Sequence, residues 1–198
     1  MIKNLQDEKS SDIYRLFTHT IIPRPIAWIL TENQNKNYNL APFSYFNAVS
    51  SSPPLFSVSI GRKQSGEPKD TLFNITNSKH CVVHIPSKED AALVMDSSKS
   101  LEYGCSETES FSIETTPVQN WPLPRLKKAP IAYYCQFYQK IELGPIPQTL
   151  ILLEAKSLYL DSKIEETLDP ESIQPLARLG GKTFSSLGSS FDIHPSRS

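Results

Sequence analysis

Apolar and polar positions along this chain fall into short runs, several of them with a period near two. Ile26–Thr31 reads IAWILT after Pro23 and Pro25, and β-branched and aromatic residues in that setting predict a strand. Glu32–Asn37 is a polar turn. Tyr38–Phe46 predicts the returning strand, so residues 26–46 read as a hairpin. Ser50–Pro54 is turn-like through its serines and paired prolines. Leu55–Ile60, LFSVSI, sets Ser57 and Ser59 between apolar neighbours, the alternation of a half-buried strand. Lys79–Ile85, Ala129–Leu143 and Thr149–Leu160 predict three more. In Ala129–Leu143 the alternation places Ile131, Tyr133, Cys135 and Phe137 on one face, with Ala132, Tyr134, Gln136 and Tyr138 on the other.

Helical signals are few. Asp70 is suited to cap a helix over Thr71–Ser78 that turns Leu72 and Ile75 inward. Ser87 with Asp90 three residues on approaches a capping box, and Ala91, Ala92, Leu93 and Met95 continue a helix to Ser97. Ser10–Asp12 would cap a turn over Ile13–Phe17. Residues 98–124 carry no period, 161–175 are acidic and polar, and 189–198 read as a loose tail. Sixteen prolines against seven glycines mark strand ends and corners rather than helix interiors. Six or so strands joined by hairpin-like connections predict a mainly β chain closed as an antiparallel barrel. Residues 1–198 read as one domain, with 1–20 and 189–198 peripheral.

Composition narrows the functions. A formal net charge of -1 argues against a general nucleic-acid binder, which would carry a clear basic excess. The N-terminus, MIKNLQDEKSSDIYRLF, has no long apolar run, so neither a signal peptide nor a membrane anchor is expected. Three cysteines, Cys81, Cys105 and Cys135, form no CxxC pair, which suits a reduced, cytoplasmic setting.

The candidate chemistry lies in Asn39–Thr71. Arg62, Lys63 and Lys69 bring positive charge to the start of the Thr71 helix, and Thr71 adds a hydroxyl. A helix start offers unpaired N–H groups, so this is a candidate anion site. A solvated basic loop beside an ordinary helix cap would read the same way. GRKQSG is not a P-loop, because Glu67 and Pro68 stand where that motif needs Lys and Ser or Thr. Ser44, Asn47, Ser50, Ser51 and Ser52 alternate with Phe43, Tyr45 and Phe46, a mixture able to bond the rim of a heterocycle and stack on its face. By composition alone, an exposed hairpin edge with turn-forming serines is the better-supported reading of the same residues. His80 and His84 lack the helix and glutamate of a zinc protease motif, and Cys81 and Cys135 sit in apolar strands as core residues. No metal site, nucleophile or acid–base pair emerges. If the chain is an enzyme, a cofactor carries the chemistry.

Five blocks then make a resemblance. RPIAWI at Arg24–Ile29, NLAPFSYFNAVS at Asn39–Ser50, SPP at Ser52–Pro54, SIGR at Ser59–Arg62 and KDTLFNI at Lys69–Ile75 together resemble the flavin reductase-like, FMN-binding split-barrel family. RLGG at Arg178–Gly181, with Phe184 and Leu187–Gly188, matches a further block, so the likeness runs over about residues 20–188. At Phe184 the family often has a basic residue or tyrosine.

The resemblance implies a six-stranded antiparallel Greek-key split β-barrel with a few short helices, forming a homodimer with FMN at the interface. It implies that Asn39, Ala41, Phe43, Ser44, Tyr45, Asn47, Ser50 and Ser51 line the flavin ring and ribityl chain. Ser59, Gly61 and Arg62 would supply further contacts, Lys69 and Thr71 would hold the phosphate, and Arg178 would close over cofactor or substrate. The implied reaction is hydride transfer from NADH or NADPH through FMN to flavin or another acceptor, with no catalytic side chain required and a partner oxygenase as one destination. Two other readings share the pocket: a non-catalytic FMN-binding electron-transfer or flavin-storage protein, and an oxidase of a substrate such as a pyridoxamine phosphate. The last would want a second set of basic residues, for which Arg178 and Lys182 are the candidates.

Overall fold

A computed structural model describes residues 2–145, 148–165, 168–191 and 193. A 3-10 turn at Leu5–Asp7 precedes helix α1, Ser10–Thr20, which is longer than the sequence suggested. Strands β1, Arg24–Pro25, and β2, Ala27–Glu32, follow. The turn after β2 is closed by the Asn33 amide donating to the Asn37 carbonyl at 2.9 Å. Strand β3 is Tyr38–Phe43, β4 is Phe46–Ser51 and β5 is Pro54–Ile60. Helix α2, Asp70–Ser78, leads into β6, His80–Ile85. A 3-10 turn with both halves of the Ser87–Asp90 capping box opens α3, Ala91–Asp96. Helix α4 is Glu107–Ser110, and β7, Thr115–Thr116, pairs with β8, Arg125–Leu126. The long hairpin β9, Ile131–Leu143, and β10, Gln148–Leu160, follows. Helices α5, Ser162–Glu165, and α6, Pro170–Ile173, and strands β11, Ala177–Gly180, and β12, Thr183–Ser185, complete the chain. The expected loose tail, 189–198, lies partly outside the described residues. Its first part is tied down, since the Ser190 amide donates to Glu171 Oε1 at 2.9 Å.

The main sheet runs β3-β2-β6-β9-β10-β5-β4, and every neighbouring pair is antiparallel. Its two outer strands, β3 and β4, are consecutive in the chain. They are separated only by a bend at Ser44–Tyr45, where the Ser59 amide donates to the Tyr45 carbonyl at 2.8 Å. That bend joins the sheet's two edges into a split barrel. Counting β3 and β4 as one bent strand gives the six strands expected. The sequence ran Tyr38–Phe46 together and placed Ser50–Ser51 in a turn. The structure instead breaks the strand after Phe43 and keeps Ser50 and Ser51 within β4. The cause is a change of partner: β3 pairs with β2, whereas β4 pairs with β5. A small sheet, β1-β11-β12, packs beside the barrel.

Burial explains the apolar run in β2. Ala27 and Ile29 face the barrel interior with Val58, Ile60, Cys81, Val83, Cys135, Ile151 and Leu153. Trp28 and Leu30 face the opposite way, into a second core with Val82, Val94, Leu123, Leu126 and Ala132. A strand buried on both faces needs no polar alternation. The second core exists because α3 and the 98–126 segment cover the outer face. His84 pins that cover. Its ring is fully buried, Nε2 accepts from the Leu126 amide at 2.9 Å, and Nδ1–H donates to the Trp28 carbonyl at 3.0 Å. Both ring nitrogens are thus engaged in the neutral form.

Burial pushes the His84 pKa down from 6.5 to about 4. The unfolded chain therefore takes up this proton first as pH falls. The stabilisation is complete above about pH 6.5 and drains away towards pH 4, amounting to about 3 kcal/mol. A His84→Gln variant should lose that component of the pH slope between pH 6.5 and 4 in equilibrium denaturation. Parallel slopes in the two proteins would contradict this role. No helix among the described residues is long and apolar enough to cross a membrane.

Candidate functional site

The start of α2 and the outer half of β3 meet in a small cavity of about 130 Å³. Asn39, Ala41, Lys69, Thr71, Ser98 and Glu107 are among its walls. Thr71 is 1% exposed, and its Oγ1 accepts from Asn39 Nδ2 at 2.9 Å. Asn39 is held in turn by Thr31 Oγ1 at 3.2 Å, so the Thr71 hydroxyl is fixed with its own proton left to donate. The expected cap differs. Lys69, not Asp70, is the N-cap of α2, and no side chain caps it. Asp70 instead pairs with Lys63, Nζ to Oδ1 at 2.6 Å. The first N–H groups of α2 therefore have no capping side chain.

The charges around this cavity are unevenly matched. Lys69 Nζ lies 5.6 Å from the Phe43 ring centroid, and burial alone lowers its pKa, with no carboxylate offsetting the effect. Arg62 is not among the cavity's walls; it donates Nη1 to the Gly66 carbonyl at 3.1 Å, and its Nε has no partner among the described residues. Glu107 is buried and accepts from the Leu40 amide at 2.8 Å. Burial chiefly, and Asp70 nearby, raise its pKa, which lessens its repulsion of an anion. Orphaned donors and an unpaired ammonium mark a place where an anion would complete the bonding.

A larger cavity of about 420 Å³ shares Pro42 and Ser98 with the first. Phe43, Ser44, Arg24, Arg178 and Phe184 are among its walls. Arg24 is 6% exposed and reaches across three segments. Its Nη1 donates to the carbonyls of Thr18 at 2.5 Å, Ile21 at 3.0 Å and Leu179 at 3.0 Å, and its Nε to Ser44 Oγ at 3.4 Å. The Arg178 guanidinium stacks over the Phe184 ring, 4.5 Å from its centroid, and donates Nη2 to the Gly181 carbonyl. Helix α1 closes the side. A Cβ at Gly180 would meet the His19 ring at 2.7 to 2.9 Å, so a larger residue there would force that side chain to move.

Seven of the sequence candidates converge on these two cavities: Asn39, Ala41, Lys69 and Thr71 at the first, Phe43, Ser44 and Arg178 at the second. Tyr45 and Asn47 line a third cavity of about 530 Å³ with Phe17 and Ile21, and Ser44 and Arg24 form its common wall with the second. Ser50 and Ser51 are exposed on β4 and border neither of the first two. Ser59 Oγ accepts from Gln148 Nε2 at 3.0 Å, and Gly61 lies against the same glutamine. Arg62 sits on the loop between β5 and α2. The sequence missed Glu107, which comes from a segment with no period. It also missed Arg24 as a site residue, although Arg24 opens the RPIAWI block. Among the described residues, no cluster of three or more His, Cys, Asp or Glu side chains could hold a metal ion.

A model of the flavin reductase like domain matches residues 18–179, leaving Tyr14, Arg15 and Phe184 outside the match. The Bacillus subtilis protein YwrF is 30% identical over 192 residues, 93% of each chain. The crystal structure of nitrilotriacetate monooxygenase component B from Bacillus cereus superposes with a TM-score of 0.91 at 31% identity, covering 98% of both chains. The 2-nitrobenzoate 2-nitroreductase NbaA of Pseudomonas fluorescens does so with a TM-score of 0.88 at 26% identity, covering 99% of this chain and 96% of that one.

Proposed function

The chain belongs to the flavin reductase like family, and from that premise we propose that it is an FMN-dependent oxidoreductase passing hydride from NADH or NADPH to a flavin or another acceptor. The observation that carries the cofactor assignment is the unmatched positive charge at the start of α2. No carboxylate pairs with Lys69 among the described residues, the helix has no side-chain cap, and the Thr71 hydroxyl is held in place by Asn39. A phosphate monoester fits that donor set, because it accepts from all three at once. Lys69 and Thr71 would hold the phosphate. Asn39 and Ala41 would flank the ribityl chain, and Phe43, Ser44 and Arg178 would border the ring.

FMN, when bound, supplies the two-electron hydride chemistry. This chain's residues bind, orient and polarise. Arg24 and Arg178 bring two guanidinium groups to the far cavity, where they stabilise negative charge as it develops. Phe43 and Phe184 limit water there and offer flat apolar surface. No side chain is needed as general acid or base, which accords with the lack of an acid–base pair in the sequence.

Asn47, Ser50 and Ser51 have a place in this reading if the protein is a homodimer with the cofactor at its interface. The exposed apolar side chains Val49, Tyr138, Ile141, Leu143 and Leu158 on β4, β9 and β10 support such an assembly. The likeness to a monooxygenase component B supports a partner oxygenase as one electron acceptor. Titrating FMN into the purified protein and following quenching of its fluorescence tests the cofactor assignment. Saturation at one FMN per chain is expected, and unquenched flavin at stoichiometric concentrations would defeat it.

A further inference from the structure

The cavity of about 420 Å³ is lined by positive charge alone. Arg15, Arg24, Arg178 and His19 line it, and no aspartate or glutamate does. Every ion pair found among the described residues is made by a lysine. The three arginines thus have no carboxylate within ion-pair distance among the described residues. Arg24 is the most telling. A buried guanidinium is normally matched by a carboxylate. This one is met by three backbone carbonyls and a serine hydroxyl, so its net charge is left to act on the cavity. Arg178 is held flat on Phe184, facing the same space from β11. Arg15, with Tyr14, comes from α1. These charges arrive from three separate elements, α1, β1 and β11.

We propose that this cavity is a selective subsite for an oxyanion carried on a flat ring, with Arg15 as a specificity-determining residue for the reacting partner of the flavin. The chemistry is shared by the carboxylate of an aromatic acid and the phosphate of a nicotinamide nucleotide. The flat surfaces are Phe43 and Phe184, and the anion is met by Arg15 and Arg178 above the fixed charge of Arg24. The inference rests on the flavin reading for its biological meaning, but the charge selectivity can be measured apart from it.

The test is isothermal titration calorimetry on the protein loaded with FMN, using two matched pairs: benzoate against benzamide, and nicotinamide mononucleotide against nicotinamide riboside. In at least one pair the charged member should bind ten-fold or more tightly than the neutral one. The pair that discriminates identifies the source of the anion. Arg15→Gln should weaken the favoured anion about five-fold, leave its neutral partner and the FMN content unchanged, and be rescued by Arg15→Lys. Equal affinities within both pairs, or a preference that Arg15→Gln leaves intact, would overturn the proposal. A protein that takes up no FMN would defeat the flavin reading alone, since the same heats on the protein as purified still decide whether the cavity prefers anions.

Discussion

Replacing Lys69 and Thr71 together with alanine is expected to weaken FMN binding by a few hundred-fold while leaving riboflavin binding unchanged. The lysine supplies a charge-assisted bond worth about 2 kcal/mol, the hydroxyl one of about 1.5 kcal/mol, and every 1.4 kcal/mol is about a factor of ten. Riboflavin lacks the phosphate and serves as the internal control. The fold should survive. Lys69 is exposed and makes no ion pair among the described residues, so removing its ammonium breaks no salt bridge of the fold. Thr71 is different, because Asn39 Nδ2 donates to it, but Thr31 Oγ1 remains as that amide's acceptor. Thermal melting of the cofactor-free protein should therefore shift by only a few degrees. Unchanged FMN affinity would move the phosphate away from α2.

Arg24→Met should be the most destabilising single change in the site, costing about 3 kcal/mol and lowering the melting temperature by on the order of 10 °C. Arg24 Nη1 serves three carbonyls, those of Thr18 and Ile21 where α1 ends and that of Leu179 on β11. Methionine fills much of the space but leaves those acceptors without a donor, and a buried unmet acceptor costs about 1 to 3 kcal/mol. Because the same contacts hold α1 and β11 against the barrel, the wall carrying Arg15 and Arg178 should loosen too. Limited proteolysis after residues of α1 would report that loosening. A melting temperature within 2 to 3 °C of the parent, which is the scale of about 1 kcal/mol at this size, would show that Arg24 is not the tie described.

Much of the architecture could be read from local pattern, for identifiable reasons. The strand at Ala27–Glu32, the long hairpin from Ile131 to Leu160 and the Ser87–Asp90 capping box each rest on neighbours close in sequence. The clustering of cations before a helix start was legible, since Lys69 and Thr71 flank the residue that opens α2. What escaped depends on tertiary partners. The bend at Ser44–Tyr45 interrupts a run of small and aromatic residues that looks uniform, and only the switch of partner from β2 to β5 breaks it. Asp70 has the chemistry of an N-cap yet is drawn to Lys63 instead. Glu107 enters the cavity from a one-turn helix too short for any period to show. The burial of Arg24 follows from two elements, α1 and β11, that lie at opposite ends of the chain.

The central claim is that this pocket holds FMN and exchanges hydride with a nicotinamide nucleotide. The most direct measurement is anaerobic mixing of the FMN-loaded protein with NADH and, separately, NADPH while the flavin absorbance near 450 nm is followed. Bleaching within seconds by at least one of the two nucleotides, reversed on admitting air, is the expected result. Flavin that stays bound and fully oxidised with both nucleotides would contradict the proposed reaction and leave a carrier of FMN in its place.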